Sequence, residues 1–226
     1  FSFIEANARL QVEHTVTEAV TGVDIVQTQI ELAAGTLLAD LGLDNSDIGT
    51  PRGFAIQARI NMETLGVDGT VRPAGGTLRS YEAPNGPGVR TDGFGYAGYT
   101  TSPMFDSLLA KVITHSSSNK FETAVQRSLR ALSEFRIEGV ATNIPFLMNV
   151  LTSTDFIDGS VHTRWVDEKI ADLAITDTDS QQKRWIESAE VPIPVAAGQQ
   201  ASPLTGTAPV MVDTSDPLAL FSYDRQ

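Results

Sequence analysis

Apolar and polar residues alternate most regularly between Phe54 and Asn61, where the sequence reads FAIQARIN. A period of two is typical of a strand with one buried face. Shorter apolar runs bounded by Gly, Pro or Asn predict further strands, with a turn at Asn85–Gly86 between two of them. These predicted strands cover residues 1–8, 77–81, 89–91, 108–114 and 135–140.

Helical spacing is clearest between Lys120 and Glu134, where apolar residues recur every three or four positions. Asn119, with Glu122 three residues on, predicts the cap at its start. Asp24 followed by Gln27 predicts a second capped helix. We expect helices over 15–21 (ending at Gly22), 25–34 (ending at Gly35), 120–134, 143–151 and 163–173.

Strands followed by a helix, a strand and further helices are typical of an α+β fold. Residues 36–52 are interpreted as a loop. The chain becomes polar from Asp177 to Gln182, and 192–217 is rich in Pro, Ala, Gly, Ser and Thr. We interpret this end as a linker, with a short helix around 183–189.

Composition and charge limit the kinds of partner and of chemistry that the chain can have. With 41% hydrophobic and 19% charged residues, the 226-residue chain is expected to form a globular core. A net charge of -12 argues against nucleic acid or a membrane surface as partner. The absence of cysteine excludes disulfides and thiolate chemistry. We expect no membrane span, and we interpret the chain as part of a longer protein because Phe1 begins inside an apolar strand pattern.

Candidate chemistry is concentrated in the stretch FIEANARLQVEH at the amino end. In an extended backbone Glu5, Asn7, Arg9, Gln11 and Glu13 would form one polar row, because side chains alternate between faces. Hard oxygen donors followed by a cation and an acid predict a metal–phosphate site beside a small anion.

The same stretch carries a resemblance. The pattern E-A-N-x-R-x-Q-V-E-H, followed by T-V-T-E-x-V-T-G-V-D, resembles the end of the ATP-grasp domain of biotin carboxylase. That domain occurs in the acetyl-CoA, propionyl-CoA, long-chain acyl-CoA, pyruvate and urea carboxylases. The blocks RIN, GVR, YAGYTTSPMFDSL and GVATN continue the resemblance to about residue 172. It implies the end of an ATP-grasp domain over 1–50, the biotin carboxylase C-terminal domain over 51–172 and a linker over 173–226.

The resemblance implies a role for each candidate residue near the amino end. Glu5 and Asn7 would bind the Mg²⁺ or Mn²⁺ that bridges the ATP phosphates, with a further carboxylate ligand upstream of Phe1. Arg9 would hold bicarbonate because a guanidinium binds a planar anion in bidentate fashion. Gln11 and Val12 would hold the same anion, and Glu13 would be its general base.

Arg90, in the block GVR, matches the arginine that holds the ureido oxygen of biotin. The implied reaction begins when ATP phosphorylates bicarbonate to carboxyphosphate. This breaks down to carbon dioxide and phosphate, and biotin is then deprotonated and carboxylated at nitrogen. The implied partners are a biotin carrier domain, a carboxyltransferase part and a second copy of the chain in a homo-oligomer. The implied compartment is the cytoplasm, or the mitochondrion of a eukaryote.

Each candidate residue also has a plainer interpretation. Glu5 and Asn7 would lie on an exposed strand edge, and Arg9 and Glu13 would form a surface ion pair. Arg90 would pair with Asp92 or Glu82. His14 is interpreted mainly as structural, with contact to the nucleotide as the lesser alternative.

Two other functions stay open. Another ATP-grasp ligase, such as a carbamoyl-phosphate synthetase or a purine-pathway enzyme, shares the Glu-x-Asn pair but does not usually continue as Arg-x-Gln-Val-Glu-His. Alternatively, these residues alone are a non-catalytic scaffold or dimerisation module. We expect the isolated 226 residues to bind ATP weakly and to show no catalytic turnover. The acceptor (an acyl-CoA, pyruvate or urea) stays open, and no biotinyl-lysine motif like Ala-Met-Lys-Met occurs.

Overall fold

The computed structural model describes residues 3, 5–44, 49–102 and 104–175. Within these residues it contains both helices and strands, which confirms the predicted α+β class. In chain order they are α1 (His14–Thr21), α2 (Ile25–Ala33), β1 (Phe54–Asn61), β2 (Glu63–Leu65), β3 (Val71–Pro73), β4 (Ser80–Glu82), β5 (Val89–Gly93), β6 (Leu108–Ser116), α3 (Phe121–Glu134), β7 (Arg136–Glu138), α4 (Ile144–Thr152), α5 (Thr154–Ile157) and α6 (Trp165–Leu173).

A three-stranded antiparallel sheet lies at the centre, with β6 between β1 and β5. Its register places Arg59 of β1 opposite Lys111 of β6, which in turn lies opposite Asp92 of β5. Ile113 lies between Gln57 and Arg90 in the same way. Because side chains alternate between faces, these residues share one face of the sheet.

The opposite face of the sheet is the hydrophobic core, and α3 covers it. The helix is amphipathic, as its spacing predicts, and its apolar side chains replace water over the sheet. Where it crosses β6, the buried hydroxyls of Thr114 and Ser128 form a 2.5 Å hydrogen bond. The cluster contains Ala58, Ile60, Ala110, Val112, Val125, Ala131, Leu132, Phe135, Ile144 and Leu151.

Asn143 joins the helical end of the chain to β1. Its side chain accepts a hydrogen bond from the backbone N–H of Asn61 (2.9 Å) and donates one to the carbonyl of Arg59 (3.1 Å). The residue is buried and immediately precedes α4. This one side chain therefore fixes the start of α4 against the end of β1.

Helices α1 and α2 are formed by the local signals that the sequence carries. Gly22 ends α1 in the left-handed region, at φ 79°, and its N–H donates to the carbonyl of Glu18. Asp24 then caps α2 by accepting a hydrogen bond from the N–H of Gln27 at 2.8 Å. Thr15 is buried against β1, where its hydroxyl donates to Gln57. The polar face of the sheet therefore lies beside α1.

Two short ladders complete the described sheets. β2 pairs with β3, and β4 pairs with β7, both antiparallel. Tyr81 of β4 packs edge-to-face on Phe135, with 5.3 Å between ring centroids. This contact places the β4–β7 ladder against the end of α3.

Some predicted elements differ from the structure. None of the described residues between 3 and 10 is in a strand, because no described strand lies alongside to pair with their backbone. Lys120, and not Asn119, occupies the cap position of α3, without a side-chain hydrogen bond. The predicted strand over 77–81 overlaps β4 only at Ser80 and Tyr81, and the predicted strand over 135–140 shortens to β7. The linker beyond residue 175, including its short helix, lies outside the described residues.

Candidate functional site

Glu5 and Asn7 lie beside each other at the exposed amino end. The Asn7 amide donates to the Glu5 carboxylate at 3.2 Å. Rotation of the amide by 180° would present its oxygen on the same side as the carboxylate. The pair therefore offers two hard oxygen donors to one cation. In the described residues no cluster of three or more His, Asp or Glu side chains could hold a metal by itself.

The prediction that five alternate residues form one polar row is wrong. The chain bends at Ala8 and Arg9 and turns at Val12 and Glu13, so the extended geometry that the row needs is broken. The turn arises because the backbone must enter α1, whose first N–H, that of His14, donates to the carbonyl of Gln11. Gln11 is half-buried here, and Val12 and Glu13 are exposed.

Arg9 and Glu13 do not form the surface pair considered from sequence. Arg9 donates to the neighbouring carbonyl of Leu10 at 3.4 Å. Glu13 instead accepts a 2.9 Å hydrogen bond from Arg59 of β1, through its Oε2 atom. Both of these side chains are about half exposed, at 53% and 50%. The Glu13 carboxylate is therefore held over the polar face of the sheet and stays accessible to solvent.

Lys111 connects the turn before α1 to the sheet. Its ammonium group lies 3.3 Å from the carbonyl of Val12 and 3.4 Å from the carboxylate of Asp92. The side chain is only 13% exposed. A largely buried cation with two oxygen partners fixes the position of the turn, because a displaced turn would take one of these partners away from the charge.

Arg90 is held by two carboxylates at once. Its Nε and NH2 atoms donate to the two oxygens of Asp92, at 2.8 and 2.9 Å, and NH1 donates to Glu18 at 2.8 Å. The side chain is 50% exposed, whereas Glu18 is 10% exposed. Of the two plainer partners considered from sequence, Asp92 is present, and Glu82 pairs with Arg136 instead.

Glu18 has two further donors on α1 and α2. The His14 ring lies 3.0 Å from its Oε1 atom, and the backbone N–H of Ile25 donates to the same atom at 3.0 Å. His14 therefore has a structural role here, as its plainer interpretation predicts. Burial works to raise the pKa of Glu18, but hydrogen bonds from Arg90, His14 and Ile25 together hold that pKa below its ordinary value.

The pKa of Asp92 is determined by the same two opposing effects, burial and charged partners. Burial works to raise it, and the hydrogen bonds and charges of Arg90 and Lys111 lower it by more, so the carboxyl stays ionised. The pKa of Arg90 is raised above its ordinary value, first by its hydrogen bonds to Asp92 and then by Glu18. Arg90 is thus a fixed cation at neutral pH.

A cleft of about 290 Å³ opens between α1 and the β5–β6 pair. Its floor is close-packed at Gly88, which has φ 70°, because a side chain there would lie 2.4 Å from the carbonyl of His115. The guanidinium of Arg90 is at its wall. The lining residues are Thr15, Glu18, Ala19, Gly88, Val89, Arg90, Ile113 and His115.

Sequence reasoning missed Glu18, Lys111 and Arg59 as members of the site. Each contacts its partner across 46 to 99 residues of chain. The available signal was the alternation of β1, which places Arg59 on the polar face. The register that brings Lys111 and Asp92 beside it depends on tertiary structure.

Two family models match separate parts of the chain. Residues 57–168 match the biotin carboxylase C-terminal domain. Residues 1–41 match the ATP-binding domain described for the carbamoyl-phosphate synthase L chain.

Pyruvate carboxylases are among the similar curated proteins. That of Pichia angusta is 49% identical over 167 residues, which is 74% of this chain and 14% of that protein. That of Caenorhabditis elegans is 47% identical over 169 residues, again 74% of this chain and 14% of the relative. The chain therefore spans about one seventh of the length of these relatives.

Solved structures share the fold. A single-chain, multi-domain long-chain acyl-CoA carboxylase is 45% identical with a TM-score of 0.72, covering 76% of this chain and 18% of that one. The biotin carboxylase domain dimer of the Hydrogenobacter thermophilus 2-oxoglutarate carboxylase, in complex with MgADP, ADP and bicarbonate, is 40% identical. Its TM-score is 0.67, and the match covers 76% of this chain and 36% of that one.

Proposed function

This chain belongs to the biotin carboxylase family, and on that premise we propose that it contributes to the ATP- and bicarbonate-dependent carboxylation of biotin. Its share of the site is Arg9 and the turn over Gln11–Glu13, which would hold bicarbonate, and Arg90, which would hold biotin. A carrier domain would present the biotin, and a carboxyltransferase part would pass the carboxyl group to the final acceptor.

One observation carries this proposal. The turn before α1 and the Arg90 side chain lie against the same face of the sheet, and Lys111 and Asp92 connect them. An anion held by the turn and a ring held by Arg90 would therefore be neighbours. Carboxyl transfer needs such neighbouring positions, because a reactive carboxyl donor must meet its acceptor before water does.

Glu13 suits the role of general base. Arg59 holds Oε2, so Oε1 is the atom that would accept the proton of bicarbonate. Exposure of the side chain lets a small anion approach it. The ion pair fixes the direction of the carboxylate without closing the site.

Arg90 suits the binding of a developing oxyanion. A guanidinium has five N–H groups, and three of those on Arg90 are engaged by Asp92 and Glu18. Two remain to donate to the ureido oxygen of biotin. Charge would accumulate on that oxygen as the adjacent nitrogen loses its proton, and a fixed cation stabilises it.

Glu5 and Asn7 fit a divalent cation by their chemistry. Carboxylate and amide oxygens are preferred ligands of Mg²⁺, and Mn²⁺ accepts the same donors. Two protein ligands leave room for phosphate oxygens, which Mg²⁺ usually binds in nucleotide sites. When bound, the ion would neutralise part of the phosphate charge of ATP. The MgADP and bicarbonate of the 2-oxoglutarate carboxylase domain support this choice of ligands.

The dimer of that carboxylase domain also supports a homo-oligomer for this chain. The match of residues 1–41 to a carbamoyl-phosphate synthase model favours the ATP-grasp class in general. Biotin as the carboxyl carrier is favoured by residues 57–168, whose model is that of biotin carboxylase.

Replacement of Glu13 tests the proposal. In a complete biotin carboxylase that carries this sequence, Glu13→Gln keeps the shape of the side chain but removes the base. We expect bicarbonate-dependent ATP cleavage to fall about 100-fold or more. Glu122→Gln, on the exposed first turn of α3, is the matched control and should keep the wild-type rate. A Glu13→Gln enzyme with wild-type turnover would overturn the assignment of the base.

A further inference from the structure

Glu18 combines features that a surface carboxylate does not have. It is 10% exposed, yet it accepts hydrogen bonds from three donors on three segments: Arg90 of β5, the His14 ring of α1 and the N–H of Ile25 at the start of α2. A carboxylate with this many fixed donors cannot move without leaving several of them unpaired.

The contacts of Glu18 and Asp92 close into a ring. From the Val12 carbonyl the ring runs through Lys111, Asp92, Arg90 and Glu18 to His14, whose own N–H returns to the carbonyl of Gln11. Two cations and two carboxylates alternate in it, so its charges balance. The ring begins and ends in the turn that would hold bicarbonate, and Arg90 is at its far side.

We infer that Glu18 and Asp92 are positioning residues for Arg90, and that the ring keeps a fixed separation between the biotin-binding guanidinium and the bicarbonate-binding turn. This inference rests on the proposed function. Glu18 contacts Arg90 from helix α1, and Asp92 contacts Arg90 from strand β5. The two carboxylates therefore restrain the guanidinium in different directions.

An arginine that is 50% exposed would otherwise sample many rotamers, and each ordered rotamer-rich side chain carries an entropic cost on binding. The contacts of the ring order the Arg90 side chain when the protein folds, so this entropy is not lost again on binding. Its carboxylates are kept ionised because their pKa values are lowered despite burial. The structure therefore offers biotin a guanidinium that is already ordered.

Glu18→Gln tests the inference in a complete enzyme that carries this sequence. The substitution keeps the shape and removes the charge. We expect the KM for biotin to rise about tenfold, equivalent to about 1.4 kcal/mol. Bicarbonate-dependent ATP cleavage measured without biotin should fall less than the biotin-dependent activity, because Glu18 contacts Arg90 directly and the turn only through His14. Glu18→Asp, which keeps the charge, should recover part of the loss.

Glu138→Gln is the matched control. Glu138 accepts a 2.7 Å hydrogen bond from Arg136 on β7, outside the cleft, so its loss removes the same kind of pair. The KM for biotin should then stay at the wild-type value. Asp92→Asn provides a second variant with the same expected KM effect, which keeps the test valid if Glu18→Gln does not fold.

The outcomes separate the inference from the proposed function. If wild type is active but Glu18→Gln and Asp92→Asn both keep the wild-type KM for biotin, the inference is wrong and the function stands. Equal loss of biotin-independent and biotin-dependent ATP cleavage in both variants would also overturn it, because that result indicates a general structural role. A wild-type enzyme without biotin-dependent ATP cleavage would overturn the proposed function and the inference together.

Discussion

Two arginines, Arg59 and Arg90, hold the carboxylates that surround the candidate site. Arg59 fixes Glu13 at the edge of the sheet, and Arg90 joins Glu18 to Asp92 over the cleft. In the pairs of Arg90 with Glu18 and with Asp92, the guanidinium is half exposed to solvent, which screens the charges. These pairs therefore contribute more to the orientation of the side chains than to the stability of the fold. At this scale the site is a set of charged groups whose directions are fixed by opposite charges.

The pairing of Arg90 predicts a pH dependence of stability. Glu18 and Asp92 have lowered pKa values in the folded state, so their stabilising effect is complete above their ordinary pKa values of 4.5 and 3.8 and is lost as the pH falls below them. In Arg90→Met this effect weakens, because burial is then opposed only by His14 and Ile25 at Glu18 and by Lys111 at Asp92. We expect wild type to be more stable by about 1 kcal/mol at pH 7, and the difference to shrink below pH 4.

Urea unfolding of both proteins between pH 7 and pH 3 measures this difference directly. In the difference between the two unfolding free energies, the contributions of all other carboxylates cancel, because both proteins contain them. A difference in unfolding free energy that stays constant with pH would show that Glu18 and Asp92 are not linked to Arg90 in the folded protein.

At the scale of elements, local signals predict local structure well. Asp24 with Gln27, the glycine at position 22 and the spacing along α3 each act within one turn of helix, and each prediction is confirmed. The strand predicted over residues 1–8 is wrong for the described residues, because a strand depends on a partner that its own sequence does not specify. For the same reason the role of Lys111 could not be predicted, because its carbonyl partner, that of Val12, is 99 residues away along the chain.

The junction between β1 and α4 is an element-scale feature that reaches the site. Asn143 holds the carbonyl of Arg59, and the Arg59 side chain holds Glu13. Asn143→Ala would remove the side-chain partner of the half-buried Asn61 N–H and of the Arg59 carbonyl. We expect a loss of about 2–3 kcal/mol in the free energy of unfolding.

Asn119→Ala is the control for this junction. Asn119 is exposed and does not occupy the cap position of α3, so its loss should change the free energy of unfolding by less than about 0.5 kcal/mol. Urea denaturation of both variants gives the comparison. Equal losses in the two variants would contradict the role of Asn143 as the link.

At the scale of the whole molecule, the central three-stranded sheet of the described residues has two different faces. One face is the core under α3, and the other carries Arg59, Lys111 and Asp92 and lies beside α1. A net charge of -12 makes the protein as a whole repel anions, so an anionic ligand would need local cations. Arg9, Arg59, Lys111 and Arg90 are the candidates, and each of the last three also has a carboxylate partner. None of the helices in the described residues has both the length and the apolar character that crossing a bilayer requires.

Much of this molecular picture could be predicted from the sequence. The α+β class and the family follow from patterns and motifs, whereas the assignment of a site to the amino end stays a prediction. The alternation of β1 indicated that Arg59 faces away from the core. The pairing partners could not be predicted, because they depend on the register of three strands that are distant along the chain.

The central claim is that the turn and Arg90 serve two successive steps in one site. Transfer of label from ¹⁴C-bicarbonate to biotin, measured beside ATP cleavage in a complete enzyme that carries this sequence, tests it most directly. The account predicts that Glu13→Gln loses both activities, whereas Arg90→Met keeps bicarbonate-dependent ATP cleavage and loses labelled biotin. Wild-type labelling of biotin by Arg90→Met, or ATP cleavage by Glu13→Gln at the wild-type rate, would contradict it.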